Sequence, residues 1–201
     1  MISTAEMTLR VAEPNPGPRA RLTGLVYLFY FLTAILAQFL TGRNLVEAGN
    51  ATNLIASACY AVLTLLFYGL FKPVNRWLSM LAALVSLAGC VVMTLGMFPR
   101  TELPISPLWF FGPYCLLIGY LVFKSTFLPR ILGVGMVLAG VGWLAFLVPA
   151  VARYLTVYIE GLGILAEASL MLWLIVKGVN LQRWNERTAT TALRPPVAIP
   201  I

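Results

Sequence analysis

Six stretches of this chain are oily over a length that matches a lipid bilayer. Residues 22–41, 53–71, 77–98, 108–123, 131–151 and 155–176 form apolar runs of 16 to 22 residues, against the ~20 helical residues needed to cross a hydrocarbon core. In lipid, every backbone N–H and C=O must find its partner within its own helix or around a closed barrel. The runs are continuously apolar and lack the alternation of a barrel strand. The expected fold class is therefore all-α, a polytopic bundle of six transmembrane helices. Composition agrees: 60% of the 201 residues are hydrophobic, 10% are charged, and mean hydropathy is +0.89, whereas soluble domains carry roughly 25% charged residues.

Basic residues orient these segments. With the N-terminus inside, the cytoplasmic segments hold Arg10, Arg19, Arg21, Lys72, Arg76, Lys124, Arg130, Lys177, Arg183, Arg187 and Arg194, and the outer loops hold Arg43, Arg100 and Arg153. Lys and Arg accumulate on the cytoplasmic side, so both termini are expected there. The domain plan is a flexible cytoplasmic tail over 1–21, a six-helix membrane domain over 22–177, and a basic then flexible cytoplasmic tail over 178–201. The loop PRTELPISP at 99–107, with three prolines, is expected to be irregular. A net charge of +7 on so apolar a chain speaks for orientation in a bilayer and against nucleic acid. The lipid bilayer is the expected partner, and a lipid or small molecule is the ligand class left open.

The chain contains neither His nor Asp. Imidazole-ligated haem, HExxH zinc chemistry, Ser-His-Asp triads and Asp-rich magnesium sites all lack their side chains. Cys59, Cys90 and Cys115 lie inside apolar runs without CxxC spacing, which argues against a disulfide framework or a zinc site. No metal, cofactor or catalytic motif is expected. Cys90 paired with Glu167 as thiol and base is a poor nucleophile, because an apolar surrounding disfavours the thiolate.

Two hairpins look alike. YGLFK at 68–72 and YLVFK at 120–124 each precede an arginine, Arg76 or Arg130, and LAG recurs at 87–89 and 138–140. Either the chain contains a duplicated hairpin, or each cytoplasmic turn independently needs an aromatic belt and a basic anchor. Ala82, Ser86 and Cys90 on the third run, and Gly135, Ala139 and Gly142 on the fifth, form stripes of small residues expected to be packing seams. Pro113 and Pro149 are expected to kink the fourth and fifth helices. Any cavity is expected near those outer halves, at the depth of the cysteines and Glu160.

The main polar feature is Glu167, inside GLGILAEASLMLWLIVKG at 161–178. A helix drifts about 20° per heptad, so Arg153, Glu160 and Glu167 share a face, with Glu160 about 10 Å further out. An acid at the bilayer centre costs roughly 2.5–3.5 kcal/mol on insertion scales, which turns it towards protein or a wet cavity. Glu167, Glu160 and Gln38 form the candidate buried polar site, with Arg43 and Arg153 as charge partners. Two roles stand for Glu167: binding a ligand's cationic or hydroxyl group or carrying a proton, or holding helices together through a hydrogen bond. Glu160 has the alternative of pairing with a rim arginine, and Gln38 that of an interhelical hydrogen bond.

RLTGLVYLFYFLTAILAQF at 21–39, ATNLIAS at 51–57, FLPRILGVGMVLAGVGWL at 127–144 and LAEASLMLWLIVKGV at 165–179 together resemble a bacterial family of six-helix membrane proteins, domain of unknown function 4386. FLPRILG and the E-x-x-L-M-L-W-L-x-V-K-G pattern are the most specific parts. The resemblance implies a six-helix fold and a bacterial inner-membrane setting, with no established activity. It also places Glu167 within a family motif, while Gln38 stands where members often carry glutamate.

Overall fold

The computed structural model describes residues 16–97 and 105–192. Seven helices make up its regular structure: α1 (Pro16–Gly42), α2 (Val46–Phe71), α3 (Arg76–Leu95), α4 (Leu108–Lys124), α5 (Arg130–Ala145), α6 (Pro149–Val176) and α7 (Leu181–Ala192). No strand occurs among the described residues. Helices α1, α2, α3 and α6 are long and apolar enough to cross a membrane, whereas α4 and α5 are apolar but shorter. Each helix from α1 to α6 packs on the next, and α6 closes back onto α1. The outer surface is as oily as the inside: Leu25, Phe29, Leu32 and Ile35 along α1 are all more than half exposed, a surface that a water-soluble monomer avoids.

Local signals set the helix ends. Asn75 caps α3, its side-chain oxygen accepting from the Leu78 N–H at 3.1 Å. Gly178, at φ +66°, follows α6 in the left-handed region that favours glycine. Asn75→Ala is expected to lower stability by about 1 kcal/mol, read as a drop in the thermal unfolding midpoint in detergent, while Asn75→Ser retains most of it.

Several boundaries differ from those read in the sequence. The run 131–151 is not one helix: α5 stops at Ala145 and Pro149 opens α6. Proline lacks an N–H and has a preset φ, so it suits a helix start. Pro149 therefore begins a helix and kinks none, whereas Pro113 does lie inside α4. The expected tail at 178–201 contains α7, docked by Trp184, which is 7% exposed with its indole N–H directed at the Leu70 carbonyl, 3.5 Å away. At the other end α1 already starts at Pro16. Positions 1–15 of the expected N-terminal tail, 98–104 around the PRTELPISP loop, and 193–201 lie outside the described residues.

Glycine lets α4 and α5 touch backbone to backbone. A Cβ on Gly133 would stand 2.7 Å from the Gly119 carbonyl oxygen, and one on Gly140 would stand 2.9 Å from that of Gly112. The two pairs are seven residues apart on each helix, so they form one antiparallel seam. The stripe expected on the fifth run packs elsewhere: Gly135 faces Ala166 and Gly142 faces Ile159, both on α6. On α3, Ala82 and Ser86 are buried. Ser86 shares a 2.6 Å hydrogen bond with Thr64 of α2.

Candidate functional site

Glu167 lies on the inward face of α6 and is 4% exposed. Its Oε2 accepts a hydrogen bond from the Tyr27 hydroxyl of α1 at 2.8 Å. Gly24, one turn earlier on α1, permits this approach, since a Cβ there would meet Ile175 of α6 at 2.7 Å. Gly163, one turn before Glu167, leaves a flat place on α6 that the Trp143 indole of α5 covers, 2.6 Å from where a Cβ would be. The indole N–H lies close enough to interact with the carboxyl but makes no hydrogen bond of sound geometry to any protein group.

On the far side of Tyr30 and Trp143 is a cavity of about 250 Å³ between α1, α2, α3, α4 and α5. Tyr30, Tyr60, Phe110, Phe111, Tyr114 and Trp143 supply most of its aromatic wall. These rings support one another: Tyr30 and Tyr60 have centroids 4.8 Å apart, Tyr60 and Tyr114 5.8 Å, and Phe111 and Trp143 5.3 Å. Tyr114 is buried, and its hydroxyl stands beside Thr64 without a hydrogen bond to it. Thr64 itself donates to the Tyr60 carbonyl and shares a hydrogen bond with Ser86. Ser57 and Thr94 add a 3.2 Å contact between α2 and α3.

Only one of the three residues expected in the buried site is there. Glu160 is exposed while Ile159 is buried against Gly142 of α5: the two differ by about 100° around α6, and Ile159 takes the side facing α5. Arg153, also on α6, is exposed as well. Gln38 is exposed while Ala37 is buried: the two differ by about 100° around α1, and Ala37 takes the side facing α2. Arg43 is also exposed, its guanidinium lying over the Phe39 ring at 5.2 Å. The cavity borders Cys90 and the first turns of α4, but Glu160, Cys59 and Cys115 do not line it. Tyr27, Tyr114 and Trp143 were missing from the sequence reading, since an aromatic in an apolar run looks the same whether it faces a site, a core or lipid.

Among the described residues, fold and site together form an all-helical protein with a membrane protein's surface, an aromatic cavity and one buried acid behind it. Residues 105–178 match the sequence model of the family described as Domain of unknown function (DUF4386). This is the family indicated by FLPRILG and by the motif around Glu167. The matched region runs from just before α4 through α6 and includes Tyr114, Trp143 and Glu167, whereas Tyr27, Tyr30 and Tyr60 precede it. A protein of Archaeoglobus fulgidus described as uncharacterized is 29% identical over 120 residues, 57% of this chain and 74% of its own length. No solved structure matches the chain.

Proposed function

We propose that this chain is a multi-pass protein of the bacterial inner membrane that binds a small amphiphilic molecule in the aromatic cavity beside Glu167. In this reading residues 22–177 are the membrane domain, α1–α6 are its six spans, and both termini are cytoplasmic. The excess of Lys and Arg in the segments assigned to the cytoplasm supports the orientation. Helices α4 and α5, with 17 and 16 residues, are near the short end of the lengths that span a bilayer.

One observation carries the binding reading. The Tyr114 hydroxyl is buried on a residue that borders the cavity, and it makes no hydrogen bond of sound geometry to the protein. Buried polar groups are nearly always bonded, and leaving one without a partner costs about 1–3 kcal/mol. A ligand oxygen in the cavity would serve that hydroxyl. Benzyl alcohol, which has one ring and one oxygen, is expected to bind the detergent-purified protein saturably in equilibrium dialysis against empty micelles. Tyr114→Phe is expected to weaken binding about tenfold, equivalent to one hydrogen bond of ~1.4 kcal/mol. Unchanged binding in that variant would refute the reading.

A second reading is favoured by the Tyr27–Glu167 bond itself, which joins α1 to α6 where the ring of helices closes. Here the chain is a non-catalytic membrane interaction or regulatory protein, and its interior polar groups specify helix packing. It expects no saturable ligand in the cavity and a stability loss as the sole effect of changing Glu167.

A further inference from the structure

The cavity's walls and the acid behind them narrow the chemistry of an occupant. Four helices turn aromatic rings to the space: Tyr30 from α1, Tyr60 from α2, Phe110, Phe111 and Tyr114 from α4, and Trp143 from α5. A cation within about 6 Å of a ring centroid gains roughly 0.5–2 kcal/mol from the ring's negative face, most when water is excluded. Each ring also offers apolar surface, so this wall suits a cation with hydrocarbon substituents better than a hydrated metal ion.

Glu167 points the same way. The titratable groups facing it are Tyr27 and Tyr30 of α1, Tyr60 of α2, and Tyr114 and Cys115 of α4, and none of these carries positive charge. Trp143 of α5 also faces it and is neutral. Basic residues on the surrounding helices, Arg19 and Arg21 of α1, Lys124 of α4 and Arg130 of α5, are exposed at helix ends. Glu167 is also the only buried acid among the described residues. A buried acid is either protonated or paired with a cation, and no described side chain supplies that cation. Tyr27 satisfies one carboxyl oxygen without changing that balance.

We infer that the cavity takes a small organic cation, an ammonium bearing apolar substituents, held by the aromatic faces and balanced in charge by Glu167 from behind Tyr30 and Trp143. This rests on the reading of the cavity as a ligand site and names the ligand class. A space of about 250 Å³ accommodates a trimethylammonium head with one aromatic arm. The carboxyl acts across the low-dielectric interior, where Coulomb attraction is stronger than in water.

Benzyltrimethylammonium and its neutral carbon isostere, 2,2-dimethylpropylbenzene, differ in charge at nearly constant shape. Equilibrium dialysis of both probes against the wild-type protein, corrected with empty micelles, is expected to show the cation bound at least about tenfold more tightly, equivalent to ~1.4 kcal/mol. Glu167→Gln is expected to abolish that preference. Tyr27→Phe is expected to keep it, because the carboxyl remains. Equal binding of the two probes would overturn the cation assignment and leave the cavity reading intact. Saturable binding of neither probe, nor of benzyl alcohol, would overturn both. A preference that survives Glu167→Gln would overturn the charge-balancing role of Glu167. The wild-type comparison needs no variant, so the assignment is tested even if Glu167→Gln fails to fold.

Discussion

Gly133→Val is expected to leave little folded, monodisperse protein. A Cβ at this position would lie 2.6 Å from the Phe123 backbone nitrogen and 2.7 Å from the Gly119 carbonyl oxygen. Those atoms belong to the backbone of α4, so no side chain can rotate away and the helices must separate. Separation at Gly133 also loosens the Gly112–Gly140 contact at the other end of the seam. Overpacking a tight site costs about 1–3 kcal/mol and sometimes more, and a β-branched residue against backbone belongs at the upper end. Total stabilities are commonly only about 5–15 kcal/mol. Gly161→Val is the matched control, since a Cβ there meets nothing within 4 Å. Size-exclusion profiles and thermal unfolding of the two variants decide the matter, and equal stability would show that α4 and α5 do not meet along this seam.

Removing both partners of the Tyr27–Glu167 bond is expected to cost less than the sum of removing each one alone. Glu167→Leu leaves the Tyr27 hydroxyl buried without its acceptor, and Tyr27→Phe leaves the carboxyl without its donor. Each is expected to cost about 1–3 kcal/mol. In the double variant the stranded group is gone, and the cost is expected to fall short of the sum by about 1–2 kcal/mol. Chemical or thermal unfolding of the wild type, both single variants and the double variant provides the cycle. Strictly additive costs would mean that this bond does not help to close α6 onto α1. The measurement concerns stability only, so it remains informative whichever ligand the cavity takes.

The apolar runs were legible because hydrophobicity in lipid is imposed segment by segment: each must satisfy its own backbone and meet oil over a fixed length. Their ends were harder to read. Pro149 looked like a kink inside a long fifth run, but the same residue is a good first helical position, and hydropathy does not distinguish a short break from a continuous helix. Residues 181–192 carry Arg183, Asn185, Glu186 and Arg187 and read as a solvated tail, yet Trp184 docks them as α7. A helix held by one buried aromatic leaves little trace in composition.

The candidate site divides along the same line. Glu167 stood out in the sequence because an ionisable group in an apolar run is costly unless it faces protein or a cavity. Glu160 and Gln38 met the same criterion and are exposed, because it ignores which side of a helix its neighbours cover. The sequence by itself determined an all-helical chain with long apolar segments and a notable acid at position 167, since length, polarity and helical period are local properties. Tertiary structure decided that Tyr27 bonds that acid, that Trp143 lies over Gly163, and that rings from four helices line one cavity. Those pairings join residues more than a hundred positions apart in the case of Tyr27 and Glu167. They depend on interhelical distances that glycines at 24, 112, 119, 133, 140 and 163 allow, and a glycine shows its partner only once the helices have packed.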